Sequence, residues 1–183
     1  MTTKEQVEIP LSRWKLVPGF LGSLVFVALG VYLIIISSVF TGLFFNFFSI
    51  FSVVWGIITI LFFGICAVFY VYKLFDKKAG LTINEEGIID NSSGISVGLV
   101  RWSDIEKLKV TRVLFIRFLT FTVKNPQDYI AKAGNPIKRK MMEMNYKSYG
   151  TPIHISTGSL QVRFKKLHNL LTEKMEEYKT SVA

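Results

Sequence analysis

The residues best equipped to bind something in this chain are cations, gathered in two short stretches. Lys138, Arg139 and Lys140 form the denser group, with Lys132 and Lys147 close by; Arg163, Lys165 and Lys166 form the second. Grouped Lys and Arg side chains suit phosphate. Beside an anionic lipid surface each contributes about 1 kcal/mol, and salt weakens the attraction. The competing reading of each group is a solvated face with no ligand. For the second group the cations stand where a helix is expected to start. They oppose its dipole slightly there, so placement for stability alone is less comfortable, though simple solvated residues remain the favoured reading.

Catalytic chemistry is poorly served. The two histidines, His154 and His168, have neither a second ligand at metal-binding spacing nor a cysteine partner, so no metal and no cofactor is expected. Asp104 and Glu106 would share a strand face, but Asp104 is more simply a corner residue beside Trp102. Working carboxylate pairs need environments that push their pKa values apart, and nothing here announces that. There is no Gly-rich phosphate loop or nucleophile elbow, so an enzyme is not expected. Cys66 is the sole cysteine and cannot form an intramolecular disulfide, in keeping with a reducing compartment. Asn91-Ser92-Ser93 matches a glycosylation acceptor but reads better as a turn.

The elements that must hold the cations divide sharply. From residue 16 to 72, 57 consecutive residues contain no Asp, Glu, Lys, Arg or His. A bilayer core takes about 20 apolar residues per helical span, so this run is right for two. The expected spans are Val17–Phe40 and Ile50–Tyr72, joined by an uncharged turn from Thr41 to Ser49 in which Gly42, Asn46 and Ser49 supply turn chemistry. A cleaved signal peptide is rejected, because the first apolar stretch is too long and no small-residue cleavage site follows it. Arg13 and Lys15 flank the first span, and Lys73, Lys77 and Lys78 follow the second. The positive-inside rule then puts both termini in the cytoplasm. Gly22 and Gly30 on the first span, and Ser52, Gly56 and Gly64 on the second, recur at multiples of four. They offer a close-packing seam, either within the hairpin or between two copies in a homodimer.

The organisation expected is a cytoplasmic N-terminal segment (1–16), a transmembrane hairpin (17–72), a juxtamembrane linker (73–80) and a soluble domain (81–183). The formal net charge is +9; the five charged residues up to Lys15 carry +1, which leaves +8 on residues 73–183. A basic domain tethered at a bilayer is drawn to anionic headgroups. Nucleic acid is not expected, since no recognition helix, RNP-type motif or zinc knuckle is present.

In the soluble part short strands are expected at Leu81–Ile83, Ile88–Asp90, Ile95–Trp102, Ile105–Val110, Val113–Lys124, Ile153–Ser156 and Leu160–Arg163. Gly87 is expected to supply unusual backbone angles at the first turn. Asn125 and Pro126 open a short helix through Ala133, and Pro136 starts a second over Ile137–Tyr149. Phe164, Leu167, Leu171, Met175 and Tyr178 recur at three and four residues and predict an amphipathic helix to Lys179. The run Val113–Ile116 with Phe118 and Leu119 is apolar on both strand faces, so one face needs cover from the inserted helices, the membrane hairpin or a partner, and cover from within the chain is the expectation. Met141, Met142 and Met144 suit core filling.

Leu81–Ile89 ("LTINEEGII") followed by Val100–Glu106 ("VRWSDIE") resembles bacterial pleckstrin-homology-like (PH-like) domains. That resemblance covers residues 81–179, and the helices at 126–149 are an insertion into it. The whole-chain pattern of Ile9–Lys15, Asn91–Gly98 and Lys138–Tyr146 around two spans is similar to an uncharacterised family of small two-span bacterial membrane proteins. The resemblance implies a membrane helical hairpin plus an α+β PH-like domain, a small barrel of about seven strands, in the bacterial inner membrane. It implies binding of lipid, peptide or protein and supplies no catalytic residue. Two other roles remain open: an immunity or interaction protein acting through its hairpin, and an unrecognised membrane-bound enzyme.

Overall fold

The computed structural model describes residues 6–37 and 43–182, in two compact units. One unit is the helical hairpin, residues 13–76; the other combines residues before the hairpin, up to Ser12, with those from Lys77 onward.

The hairpin consists of α1 (Arg13–Ser37) and α2 (Leu43–Phe75). Both helices are long and apolar enough to cross a membrane, and only 11% of the residues in each most apolar stretch are buried. A soluble protein's core helix would be mostly covered; here Val25, Ile65 and Val68 are among many outward apolar side chains. α2 begins earlier than expected, so residues 43–49 are helical rather than a turn, and the part of that turn at Thr41 and Gly42 lies outside the described residues. Residues 43–49 are uncharged and contain neither Pro nor Gly, so nothing in them interrupts the helix.

The helices meet through small residues. A Cβ on Gly30 would overlap Ile60 and the Gly56 carbonyl, and one on Gly56 would overlap Ile34 and the Gly30 carbonyl. Gly19 packs against the Tyr70 ring, Phe26 stacks on Phe63 at 4.2 Å, and the Ser49 hydroxyl donates to the Ser37 carbonyl at 2.9 Å. Ser52 is buried. Gly22 and Gly64 face open space, so they are not part of this seam.

The other unit holds two antiparallel sheets. The first has the order β1 (Val7–Ile9), β2 (Leu81–Ile83), β3 (Gly87–Asp90), β4 (Gly98–Arg101). The N-terminal residues are therefore not a separate segment. Val7, Glu8 and Ile9 pair with Ile83, Thr82 and Leu81, and Ile9 is buried. Three residues carry too little pattern to announce a strand, and the partner lies some 70 positions away.

Between β2 and β3 the Asn84 side chain accepts hydrogen bonds from the backbone N–H of Glu86 (3.0 Å) and Gly87 (3.1 Å). Gly87 is required, but for a different reason than expected. Its φ is not positive; a Cβ there would run into the Val100 carbonyl of β4. A 3-10 turn at Trp102–Asp104 leads out of β4, and the buried Trp102 donates its indole N–H to the Asn84 carbonyl at 2.8 Å. β4 is also shorter than expected, since Ile95–Val97 is turn rather than strand.

The second sheet has the order β5 (Ile105–Val113), β6 (Ile116–Val123), β7 (Ile153–Ser156). The long strand expected at 113–124 is broken by a tight two-residue turn at Leu114–Phe115, flanked by the pair Val113 and Ile116. Between β6 and β7 lie α3 (Pro126–Ala131) and α4 (Pro136–Tyr149). Asn135 caps α4 by accepting from the Lys138 N–H at 2.8 Å, and Gly150 ends it in the left-handed conformation, φ 75°. Leu160–Arg163 is not a strand. Leu160 makes one isolated bridge to Leu11, and the chain then enters α5 (Phe164–Val182).

Ile9, Leu81, Ile83, Ile88 and Val100 of the first sheet, Leu119, Phe121, Ile153 and Ile155 of the second, and Leu167 and Leu171 of α5 form one buried cluster. Thus α5 buries the face its periodicity predicts. Among the described residues no ladder joins the two sheets, so a closed barrel is not formed.

Candidate functional site

The cations singled out from the sequence do not form one cluster. On α4 each residue turns the next by about 100°, so neighbours in sequence fan around the axis. Met142 is fully buried and marks the inner face. Lys138, one turn earlier, lies on that side and is half-buried, while Lys140 and Lys147 share the solvent face. Arg139 is exposed, its guanidinium donating to the Ala131 carbonyl at 3.5 Å. Lys132 ends α3 with its ammonium 5.8 Å from the Tyr129 ring. Met141 and Met144 are exposed, so only Met142 fills the core.

The second group fares differently. Arg163 precedes α5, Lys165 and Lys166 lie in its first turn, and all three are exposed. The Arg117 guanidinium sits over the Phe164 ring, 4.5 Å from its centroid. That contact ties this group to the β5–β6 hairpin, where Arg112 and Arg117 are direct cross-strand partners. Like charges set opposite each other destabilise a ladder, and among the described residues neither arginine forms an ion pair.

Beyond these arginines the hairpin ends in apolar side chains. Phe115 is 99% exposed, Leu114 85% and Ile116 56%. Cover was the expectation for this stretch: Leu119 is fully buried and Val113 and Phe118 are half-buried, but among the described residues nothing covers Leu114, Phe115 and Ile116. The turn at 114–115 points these side chains away from the core that Leu119 and Phe121 enter. Leu114 adopts φ 52°, a left-handed conformation usually left to Gly or Asn. Arg112 and Arg117 were missed because they are five apart in sequence. The symmetric run Arg-Val-Leu-Phe-Ile-Arg at 112–117 was the available signal.

Next to the hairpin lies a cavity of about 240 Å³, lined on one side by Asp90, Ile95 and Val97 and on the other by Phe118, Tyr149 and His154. The His154 ring donates from Nε2 to the Thr151 carbonyl at 3.1 Å, and its Nδ1 lies 3.0 Å from the Thr120 hydroxyl. Burial holds the imidazole below its ordinary pKa, against the opposing pull of the Thr151 carbonyl. His154 is thus a packed ring held between Thr120 and Thr151. His168 lies on α5 and donates nothing to this site; its carbonyl accepts from the Thr172 hydroxyl.

The carboxylate weighed for catalysis has a structural partner. The Tyr129 hydroxyl donates to Asp104 at 2.7 Å, which holds the carboxyl below its ordinary range. Burial and this carboxylate together push the Tyr129 hydroxyl up to about 12. The pair fastens α3 to the corner after β4.

Comparison of the chain with family models, with curated proteins and with solved structures finds no match. The geometry of the chain itself must therefore carry any functional reading.

Proposed function

We propose that this protein is a membrane-anchored, non-enzymatic binding module, with a PH-like domain that engages anionic lipid headgroups or a protein partner at the cytoplasmic surface. The observation that carries the reading is the pairing of β1 with β2 across the apolar hairpin. A domain assembled from residues on both sides of two spans needs both on the same side of the bilayer. The flanking cations Arg13, Lys15, Lys73, Lys77 and Lys78 favour the cytoplasmic side.

Four strands, then three, then a C-terminal helix support the PH-like assignment, with the membrane hairpin inserted in the first turn and α3–α4 before the last strand. The resemblance to small two-span bacterial membrane proteins points the same way. Binding is supported by the charge of +8 on residues 73–183 and by the exposure of Arg112, Arg139, Lys140, Lys147, Arg163, Lys165 and Lys166. Tethering keeps such a surface at high local concentration near its target.

The test is co-sedimentation with anionic and neutral vesicles at low and moderate salt. It should use a chain in which residues 1–12 are joined by a short linker to 77–183, so that β1 is kept. Salt-sensitive binding to anionic vesicles alone, weakened by joint substitution of Lys138, Arg139 and Lys140, is the expected result. Absence of binding under all conditions would leave a protein partner as the target.

A further inference from the structure

We propose that the β5–β6 hairpin is a membrane-dipping finger: Leu114, Phe115 and Ile116 enter the lipid interface while Arg112 and Arg117 hold lipid phosphates. This rests on the membrane-anchored reading above and adds a site to it.

Position is the first argument. In the first sheet, Ile9, Leu81, Asp90 and Gly98 form one end, the end from which the chain leaves for the apolar hairpin and to which it returns. The β5–β6 tip belongs to that same end. Val113 at the base of the turn and Asp90 line one cavity, and Phe118 pairs with Ser156. A few residues further on, the Ser159 hydroxyl donates to the Ser92 carbonyl, and the Ser12 N–H donates to the Ser159 carbonyl. Three residues join β1 to α1 and five join α2 to β2, so a bilayer that takes both helices is within short reach of this end of the domain.

Chemistry is the second argument. Aromatic and aliphatic side chains flanked by arginines match an interface whose phosphates lie above its acyl chains. The two arginines repel each other across the ladder unless an anion lies between them. Arg163, Lys165 and Lys166 extend the positive surface through the Arg117–Phe164 contact. A water-facing turn would be served better by Asn-Gly than by Leu-Phe, whose first residue holds φ 52°.

The experiment uses the full chain with Cys66→Ala, reconstituted in vesicles with and without anionic phospholipid. A polarity-sensitive fluorophore is attached to a single cysteine placed by Leu114→Cys or, separately, by Ile58→Cys in α2. Acyl chains carrying a nitroxide, shallow for the probe at 114 and deep for the probe at 58, serve as quencher. The expected result is a blue-shifted, quenched probe at 114 in anionic vesicles, with both signals lost on adding Phe115→Asp. Arg112→Gln with Arg117→Gln should reduce the quenching and its salt sensitivity. Phe115 packs against nothing, so its substitution leaves the fold in place. A quenched probe at 58 with an unquenched probe at 114 overturns the finger alone. An unquenched probe at 58 overturns the membrane-spanning reading, and the finger with it. A blue shift at 114 without quenching, disappearing on dilution of the protein, would assign the tip to a second copy and also overturn the proposal.

Discussion

Ile9 offers a sharp test of how the domain is assembled. It is 7% exposed, pairs with Leu81, and belongs to the same buried cluster as Phe121 and Leu167. Ile9→Ala removes three carbons, about 2.4 kcal/mol at roughly 0.8 kcal/mol per buried CH₂. With a partly relaxed cavity the loss is about 2–4 kcal/mol. A domain of this size has about 5–15 kcal/mol in total, so one change near the N-terminus removes a large share.

The assay is urea unfolding of residues 1–12 linked to 77–183, followed by tryptophan fluorescence. Of the three tryptophans only Trp102 remains in that chain, buried against the first sheet through its bond to the Asn84 carbonyl. With a slope of about 1.5–2 kcal/mol/M, the midpoint should fall by about 1–2.7 M. Glu8→Ala, one residue away and exposed, should change stability by less than about 0.5 kcal/mol. Equal midpoints for the two variants would refute the packed strand, as would a chain starting at Lys77 that unfolds like the linked one.

Further outcomes follow from other contacts. His154 has a depressed pKa when folded, so the unfolded chain takes the proton first as pH falls below about 6.5. Stability should therefore drop across that window and level off below the folded pKa, and His154→Gln should flatten the slope in pH-dependent urea melts. Tyr129→Phe leaves Asp104 without its main donor; a loss of about 1–2 kcal/mol is expected, with the Asp104 resonance titrating closer to an ordinary carboxyl by NMR. Leu114→Asn relieves the left-handed backbone and should raise the urea midpoint by an amount equivalent to about 1 kcal/mol, while Leu114→Ala should not. In the hairpin, Gly30→Leu or Gly56→Leu should separate α1 from α2, read as lost cysteine crosslinking between positions 26 and 63. Gly22→Leu and Gly64→Leu should leave that crosslink intact.

What could be read from the sequence depended on how far each signal travels along the chain. The two long apolar helices were legible because 57 consecutive uncharged residues are enough for two spans, and α5 because Leu167, Leu171 and Met175 keep helical spacing over several turns. The β5–β6 turn was hidden because Leu114 and Phe115 carry no turn chemistry. A run of apolar residues then looked like one strand in need of cover. β1 was hidden because its three residues acquire meaning only from β2. Leu160–Arg163 looked like a strand on its apolar residues, but only Leu160 bridges, to Leu11. The binding surface suffered most. Lys138, Arg139 and Lys140 are adjacent in sequence and divergent on a helix, whereas Arg112 and Arg117 are apart in sequence and opposed on a hairpin.

The pairing of β1 with β2 also bears on how the protein is made. During synthesis the first strand emerges, then both apolar helices, and only afterwards the strand that receives it. On the membrane-anchored reading proposed above, a chain in which one helix fails to insert would leave the two strands on opposite sides of the bilayer, where they cannot meet. β2 would then be left with an unpaired edge and the core would lose Ile9, which would expose the chain to aggregation or proteolysis. On that reading, completion of the sheet would act as a built-in proofreading step, closed only by a chain threaded with an even number of crossings.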